Sequence, residues 1–435
     1  MVELEIVCKE TIKPSSSTPS ELRNYPLCLL DQHAPYMSIM LLYFYDGGNT
    51  VHSGGLKDGL SKALTVYYPF AGRLQKGGNF IDCNDMGAMY LEGKLRCPMS
   101  EFMNKLQRDE VLKLVRLEHD TNGKDTDPTL NPLLSVQLFH FECGGTMMSV
   151  VFSHKVADLA SLAQFVNDWA SIARSSGGGM LLEVNPLFNA ASFFRPELDA
   201  GGYPSVEEGK KVCLKRLVFE GSKIEALKAM VSEKVENPSR VQVLTAFVYK
   251  AALSAKISVK GHWPTMSSLL QVVNIRGRME PPLEEKLIGN IVTFFIASSA
   301  KEEEGREMEV WKIVGDMKRS LEEFCRELPK KCRAEEWNGL YKLHAKQKMD
   351  RLISGGWNHA VYCCSSWCRF PLYDADFGWG KPMWITVPDF DSKNLILLMD
   401  ARDGEGVEAI VRLEEEEMAV FQQNQELLSF CDLIT

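Results

Sequence analysis

Apolar residues run almost unbroken through MSIMLLYFY (37–45) and LLSVQLFHFE (133–142), and both stretches predict buried strands. GLKDGLSKALTVYYP (55–69) instead spaces its apolar positions as a helix does, until Pro69 ends the element. Further along, CLKRLVFEG (213–221) predicts a strand, SKIEALKAMVSEKV an amphipathic helix opened by Ser222, and VQVLTAFVYKAALSA another helix. The acidic runs EEEGREMEV and RLEEEEMAVFQQNQELLSF predict solvated helix faces. Between the halves, from about Asn185 to Lys211, periodicity fades and Pro186, Pro196, Gly201, Gly202 and Pro204 accumulate, which predicts a crossover linker. The pattern implies a two-domain α/β protein: an N-terminal domain over 1–185, a linker over 186–213 and a C-terminal domain over 214–435.

One break in the pattern carries chemistry. TMMSVVFSH is rich in β-formers and stops at Ser153-His154, and DLASLAQFVNDWASIAR then places Leu159, Leu162, Ala163, Val166 and Trp169 at helical spacing. His154 therefore falls at a strand end, where a side chain can face a cleft, and Asp158 is placed to cap the helix. A half-buried structural histidine before a capped helix fits the same residues.

Composition narrows the choices. The chain has 435 residues, 45% hydrophobic and 25% charged, as a globular protein of two domains has. Its net charge of -9 argues against a nucleic-acid surface, so an anionic ligand must find a local basic patch. The start MVELEIVCKETIKPSSSTP lacks the basic n-region and continuous apolar h-region of a signal peptide, and IGNIVTFFIASSA is too short to span a bilayer. A cytoplasmic protein without membrane attachment is expected. The 12 cysteines, including Cys363, Cys364 and Cys368, contain no paired CxxC, so reduced packing thiols and no metal site are expected.

The motifs YYPFAGRL, HKVAD, VVNIRGRMEPPL, IGNIV and DFGWGKP occur in that order along the chain. Together they resemble the plant BAHD acyltransferases, which move acyl groups from coenzyme A thioesters to alcohols or amines. HxxxD alone is common, whereas HxxxD followed over two hundred residues later by an intact DFGWG is specific. HKVADLASLAQFVNDWASIAR and SSWCRFPLYDADFGWGKP are most similar to the branch that O-acetylates alkaloids and other specialised metabolites, although Leu159 stands where many relatives carry glycine.

The resemblance implies a two-domain α/β fold of the chloramphenicol acetyltransferase type, with mixed β-sheets flanked by helices and a channel between the domains. It implies acyl-CoA, acetyl-CoA first, as co-substrate, a small-molecule alcohol as acceptor, and a monomer with no nucleic-acid or membrane partner. His154 would be the general base, since a neutral imidazole can take the alcohol's proton as its oxygen attacks the thioester. Ser365 and Trp367 in SSW would lie at the reaction centre as oxyanion donors, and His33 and Tyr36 in DQHAPYMSIM would line the acceptor pocket. Asp376, Gly378, Trp379 and Gly380 of DFGWG would be scaffold, and Asp158 would pair with Arg276 to aim His154. Ser239-Arg240 and the group Lys330, Lys331 and Arg333 are candidates for the coenzyme A phosphates.

Other readings leave their own traces. A short branched acyl-CoA with a sugar acceptor is the alternative within the family, and an inactive ligand-binding paralogue the alternative outside catalysis. A metal hydrolase lacks a third ligand beside His154 and Asp158, and a serine hydrolase lacks a G-x-S-x-G elbow.

Overall fold

The structure is a computed structural model describing residues 3–47, 53–106, 129–175, 184–197, 211–298, 308–327, 334–354, 358–388 and 392–434. Its strands in chain order begin with β1 (Leu4–Ile12), β2 (Asn24–Pro26), β3 (Ser38–Tyr45), β4 (Arg73–Leu74), β5 (Phe80–Asp82), β6 (Ala88–Leu95), β7 (Leu134–Phe141) and β8 (Thr146–Ser153). They continue with β9 (Val212–Phe219), β10 (Met266–Asn274), β11 (Val292–Ser298), β12 (His359–Ser366), β13 (Trp384–Thr386), β14 (Leu395–Asp400), β15 (Val407–Glu414) and β16 (Asp432–Ile434). Mixed sheets flanked by helices are thus the architecture, as the sequence implies. No described helix is long and apolar enough to cross a membrane.

The chain forms two compact units, and the first is not one continuous segment. It comprises Met1–Ser205 together with Glu284–Ile291 and Phe370–Asp389; the second holds the remainder. DFGWG therefore lies in the first unit, although the sequence pattern groups it with the C-terminal half. The cause is strand pairing: β13 joins the first unit's sheet with Trp384 opposite Phe44 and Thr386 opposite Leu42. Glu284–Ile291 likewise joins that unit through the bridge Leu187↔Leu287.

In the first unit the large sheet has the order β1-β6-β7-β8-β3-β13, with β2-β5-β4 as a small second sheet. The apolar run of β3 is buried from Ile39 to Tyr45, because the strand lies between β8 and β13 and is covered on both faces. The helix Leu159–Ser175 buries Leu162, Phe165, Val166 and Trp169, and Phe70 meets Phe152 and Phe165 edge-on at centroid distances of 4.6 and 5.3 Å. Trp169 Nε1 donates to the Leu56 carbonyl of the helix Ser53–Val66 at 3.1 Å. The two helices approach so closely that a Cβ on Gly59 would lie 2.7 Å from that of Ala173. This packing fixes the helix that follows His154.

The second unit contains a sheet of order β11-β10-β12-β14-β15-β9-β16. The helix Arg240–Lys260 starts at a capping box, with the Ser239 hydroxyl accepting from Gln242 N, and ends at Gly261 with φ 73°. Two local expectations are corrected here. Ser222 does not open its helix, which runs Gly221–Ser232 with Glu220 in the cap position and no side-chain cap. The run RLEEEE is only in part a solvated helix face: Arg412–Glu414 finishes β15, Glu415 and Glu416 are exposed on the helix Glu415–Phe421, and Glu417 is fully buried and accepts from Lys256 Nζ at 2.8 Å. A buried carboxylate with a cationic partner satisfies the chain locally where the run of charges suggests exposure.

Candidate active site

His154 occupies the first position after β8. The strand is held to its last ladder position, Ser38 opposite Ser153, and the His154 N–H donates to the Met37 carbonyl at 2.8 Å. Val156 N then closes the turn on the Ser153 carbonyl at 3.2 Å. The residue is half-buried and its Nδ1 is buried without a hydrogen-bond partner, so the accessible edge of the ring is the one carrying Nε2. Burial lowers the imidazole pKa below its usual value. The carbonyls of His154 and Ala157, the Asp158 carboxylate and the Asn290 side chain oppose that shift less strongly. Neutral imidazole is therefore the resting form at pH 7.

Asp158 binds two separate pieces of chain. Its Oδ1 accepts from Ser161 N and Ser161 Oγ, each at 2.9 Å, which caps the helix Leu159–Ser175 at its third amide. Its Oδ2 accepts from Ile291 N at 3.0 Å, and its own N–H donates to the Gly289 carbonyl at 3.3 Å. A carboxylate with both oxygens engaged inside the fold is a brace. Leu159 in the first helical position adopts the helix without the glycine many relatives carry.

The segment Gly289-Asn290-Ile291 is braced from the other side by Asp31, a residue the sequence reading did not single out. Asp31 is fully buried; its Oδ1 accepts from Asn290 N at 2.7 Å and Asn290 Nδ2 at 3.0 Å, and its Oδ2 accepts from Cys28 N at 3.0 Å. Burial raises its pKa, opposed by these donors. Asn290 Nδ2 also donates to the His154 carbonyl at 2.7 Å. Gly289, with φ 139°, admits this approach where a Cβ would stand 3.4 Å from Asp31 Oδ1. An aspartate inside the apolar context CLLDQH was the available signal, since a buried acid needs a dedicated partner.

Lys155 is the second missed residue. It is 2% exposed, and its Nζ donates to the Gln32 carbonyl at 2.8 Å and the Asp31 carbonyl at 3.4 Å while lying 4.2 Å from the Tyr36 ring centroid. His33 is half-buried at the end of the helix Leu29–His33, and Tyr36 is 55% exposed. His33 and Tyr36 are thus gathered with His154, Lys155 and Asp158 in one unit.

DFGWG belongs to this unit but to the other end of the same helix. Asp376 Oδ1 accepts from Gly378 N at 2.8 Å and Gly380 N at 3.0 Å, and both glycines have φ near 100°. Arg174 donates to the Asp376 carbonyl, and Trp169 meets Phe377 edge-on at 4.7 Å. Trp379 is buried against Tyr45 at 5.6 Å, whose hydroxyl donates to the Ala375 carbonyl. Arg174 lies fifteen residues beyond Leu159, about 22 Å along the helix axis.

The other candidates fall in the second unit. Ser365 is half-buried in β12 opposite Leu397, and Trp367 is 8% exposed with its backbone N–H donating to the Leu398 carbonyl at 2.7 Å. Arg276 is fully buried, its backbone N–H held by Asn274 Oδ1 at 3.0 Å. Ser239 caps its own helix, and Arg240 is paired with Asp400. Lys330, Lys331 and Arg333 lie outside the described residues. Cys363 and Cys364 are packed in β12, where burial raises the thiols to about 11 and about 12.

A family model described as "Transferase family" matches residues 2–428. The chain is 37% identical over 99% of its length to akuammiline synthase 1 of Alstonia scholaris, covering 98% of that protein. It is 32% identical to stemmadenine O-acetyltransferase of Catharanthus roseus, covering 99% of this chain and 98% of the relative. The crystal structure of vinorine synthase superposes with a TM-score of 0.83 at 33% identity, covering 99% of both chains.

Proposed function

We propose, from the premise that this chain belongs to the plant BAHD family of acyl-CoA-dependent acyltransferases, that it transfers an acetyl group from acetyl-CoA to a hydroxyl of an alkaloid or terpenoid alcohol. The observation that carries the reading is the state of His154: neutral, with Nδ1 sealed in the turn and the Nε2 edge accessible. A proton on Nδ1 leaves the Nε2 lone pair free. The names of relatives such as stemmadenine O-acetyltransferase support acetyl and a hydroxyl.

The acceptor O–H donates to His154 Nε2 while its oxygen attacks the thioester carbonyl. As the C–O bond forms, the proton moves to Nε2 and the carbonyl oxygen becomes an oxyanion. Ser365 Oγ and the Trp367 indole are the proposed donors to it. Collapse breaks the C–S bond, and the leaving coenzyme A sulfur takes the proton back from the imidazolium. No acyl-enzyme forms, because the thiolate leaves without covalent help. Asp158, Asp31 and Asn290 act on the main chain around His154 and hold its position.

The test is thiol release from acetyl-CoA against an extract or panel of hydroxylated alkaloids and terpenoids, read also by product mass. Acceptor-dependent thiol release with a gain of one acetyl supports the reading, and initial rates should give intersecting double-reciprocal lines. Parallel lines would reveal a covalent intermediate. Coenzyme A binding without turnover, across the panel, would identify a ligand-binding paralogue instead.

A further inference from the structure

Lys155 has no role in the reaction just described, yet it is among the few charged side chains buried beside His154. An ammonium has three N–H donors and must use them when it is removed from water. Two point at the carbonyls of Asp31 and Gln32, at the end of the helix Leu29–His33, and the Tyr36 ring stands 4.2 Å away on the remaining side. Burial lowers the pKa to about 8 and the Asp31 carboxylate opposes the shift, so the group is largely cationic at pH 7.

A second observation places the other end of Tyr36. Gly78 has φ 70°, and a Cβ there would lie 2.4 Å from the Tyr36 hydroxyl. The phenol tip therefore lies against Gly78, while the ring face lies against the ammonium. The ring is nonetheless 55% exposed, an unusual state for an aromatic side chain contacted from two directions. The chain then runs from Tyr36 to Met37, whose carbonyl holds the His154 N–H.

We propose that Lys155 is a positioning residue for the acceptor: its ammonium fixes Tyr36 and the end of the Leu29–His33 helix against the His154 turn, so that the exposed ring forms a rigid platform for a flat, apolar alcohol. The proposal rests on the acyl-transfer reading above and adds to it an acceptor-side specificity element. A cation on one face withdraws electron density from the ring, so the free face suits a neutral aromatic or polycyclic acceptor better than a cationic one. Acetyl-CoA use does not depend on this contact.

The experiment compares the full chain with Lys155→Met, Lys155→Arg and Tyr36→Leu, using tryptophol as acceptor probe and hydrogen exchange as a readout independent of turnover. Lys155→Met should speed exchange of the Gln32–Met37 amides about tenfold while leaving the β8 amides unchanged. It should raise the KM for tryptophol about tenfold, with kcat and the KM for acetyl-CoA within about twofold. Tyr36→Leu, at an exposed site that tolerates the change, should reproduce the KM rise, and Lys155→Arg should recover part of the loss. Unchanged exchange in Lys155→Met, or a KM for acetyl-CoA that rises with that for tryptophol, overturns the proposal. If Lys155→Met does not fold, a normal tryptophol KM in Tyr36→Leu overturns it. Should the unmodified chain release thiol with no alcohol at all, acyl transfer fails on its own account, and selective or unchanged exchange still decides for or against the clamp.

Discussion

The two ends of the helix Leu159–Ser175 each carry an aspartate that accepts backbone amides, but the two loops differ in what they join. Asp158 accepts from Ser161 N beside it and from Ile291 N, 133 residues away. Asp376 accepts from Gly378 N and Gly380 N within its own loop. The first therefore ties together chain segments that must meet for His154 to be held, whereas the second shapes a turn that docks on Arg174 and Trp169. The same acceptor chemistry yields a site brace at one end and scaffold at the other. What separates them is the sequence distance spanned by the bonds and the presence of an imidazole with an accessible nitrogen.

The sharpest division between the ends comes from His154→Ala. It should cut acetyl transfer by about 10² to 10⁴-fold, the usual contribution of a general base, with the melting temperature nearly unchanged. A variant retaining a tenth of the activity in the thiol-release assay would remove the general-base role. Asp158→Ala should follow in size, losing about 3 kcal/mol in urea denaturation together with activity, because Ile291 N and Ser161 lose a buried acceptor. Asp376→Ala should lose only about 1 to 2 kcal/mol and keep kcat within about threefold, since its bonds are local and at the far end of the helix. Equal catalytic losses in the two aspartate variants would erase the distinction drawn between brace and scaffold.

The smallest effect is on pH dependence. Because burial lowers the His154 pKa, the acid-side decline of kcat/KM should have its midpoint below pH 6.5. The unfolded imidazole, with its ordinary value of about 6.5, binds a proton before the folded one does. Stability contributed by keeping His154 neutral is thus lost as pH falls below about 6.5, and His154→Ala should lack that component. A decline of kcat/KM centred at or above pH 7 would contradict the buried, neutral imidazole.

Much of this site was legible before any fold was known, and the reasons are local. β8 and its stop at Ser153 follow from a run of β-formers, and the following helix from apolar spacing with Asp158 at the cap, all determined by neighbours in sequence. The two φ-positive glycines of DFGWG were readable for the same reason, because only glycine takes that conformation freely. In the acidic run Glu415 and Glu416 are exposed on a helix as expected, but Glu417 was misread since exposure is not a local property: Lys256, on another helix, supplies the partner that permits burial.

The sequence by itself pointed to His154 as the candidate base, through HxxxD and the later motifs, with DFGWG among them as scaffold. It also determined the alternation of strands and helices, because side-chain periodicity is set by backbone geometry alone. Only the tertiary structure decided that Phe370–Asp389 leaves the C-terminal half to pair β13 with β3, and that Asp31 and Asn290 stand behind His154. It alone placed Lys155 under Tyr36. These pairings join residues separated by tens to hundreds of positions, and their free energy comes from burying polar groups with matched partners. A linear pattern records the groups but not which of them will meet.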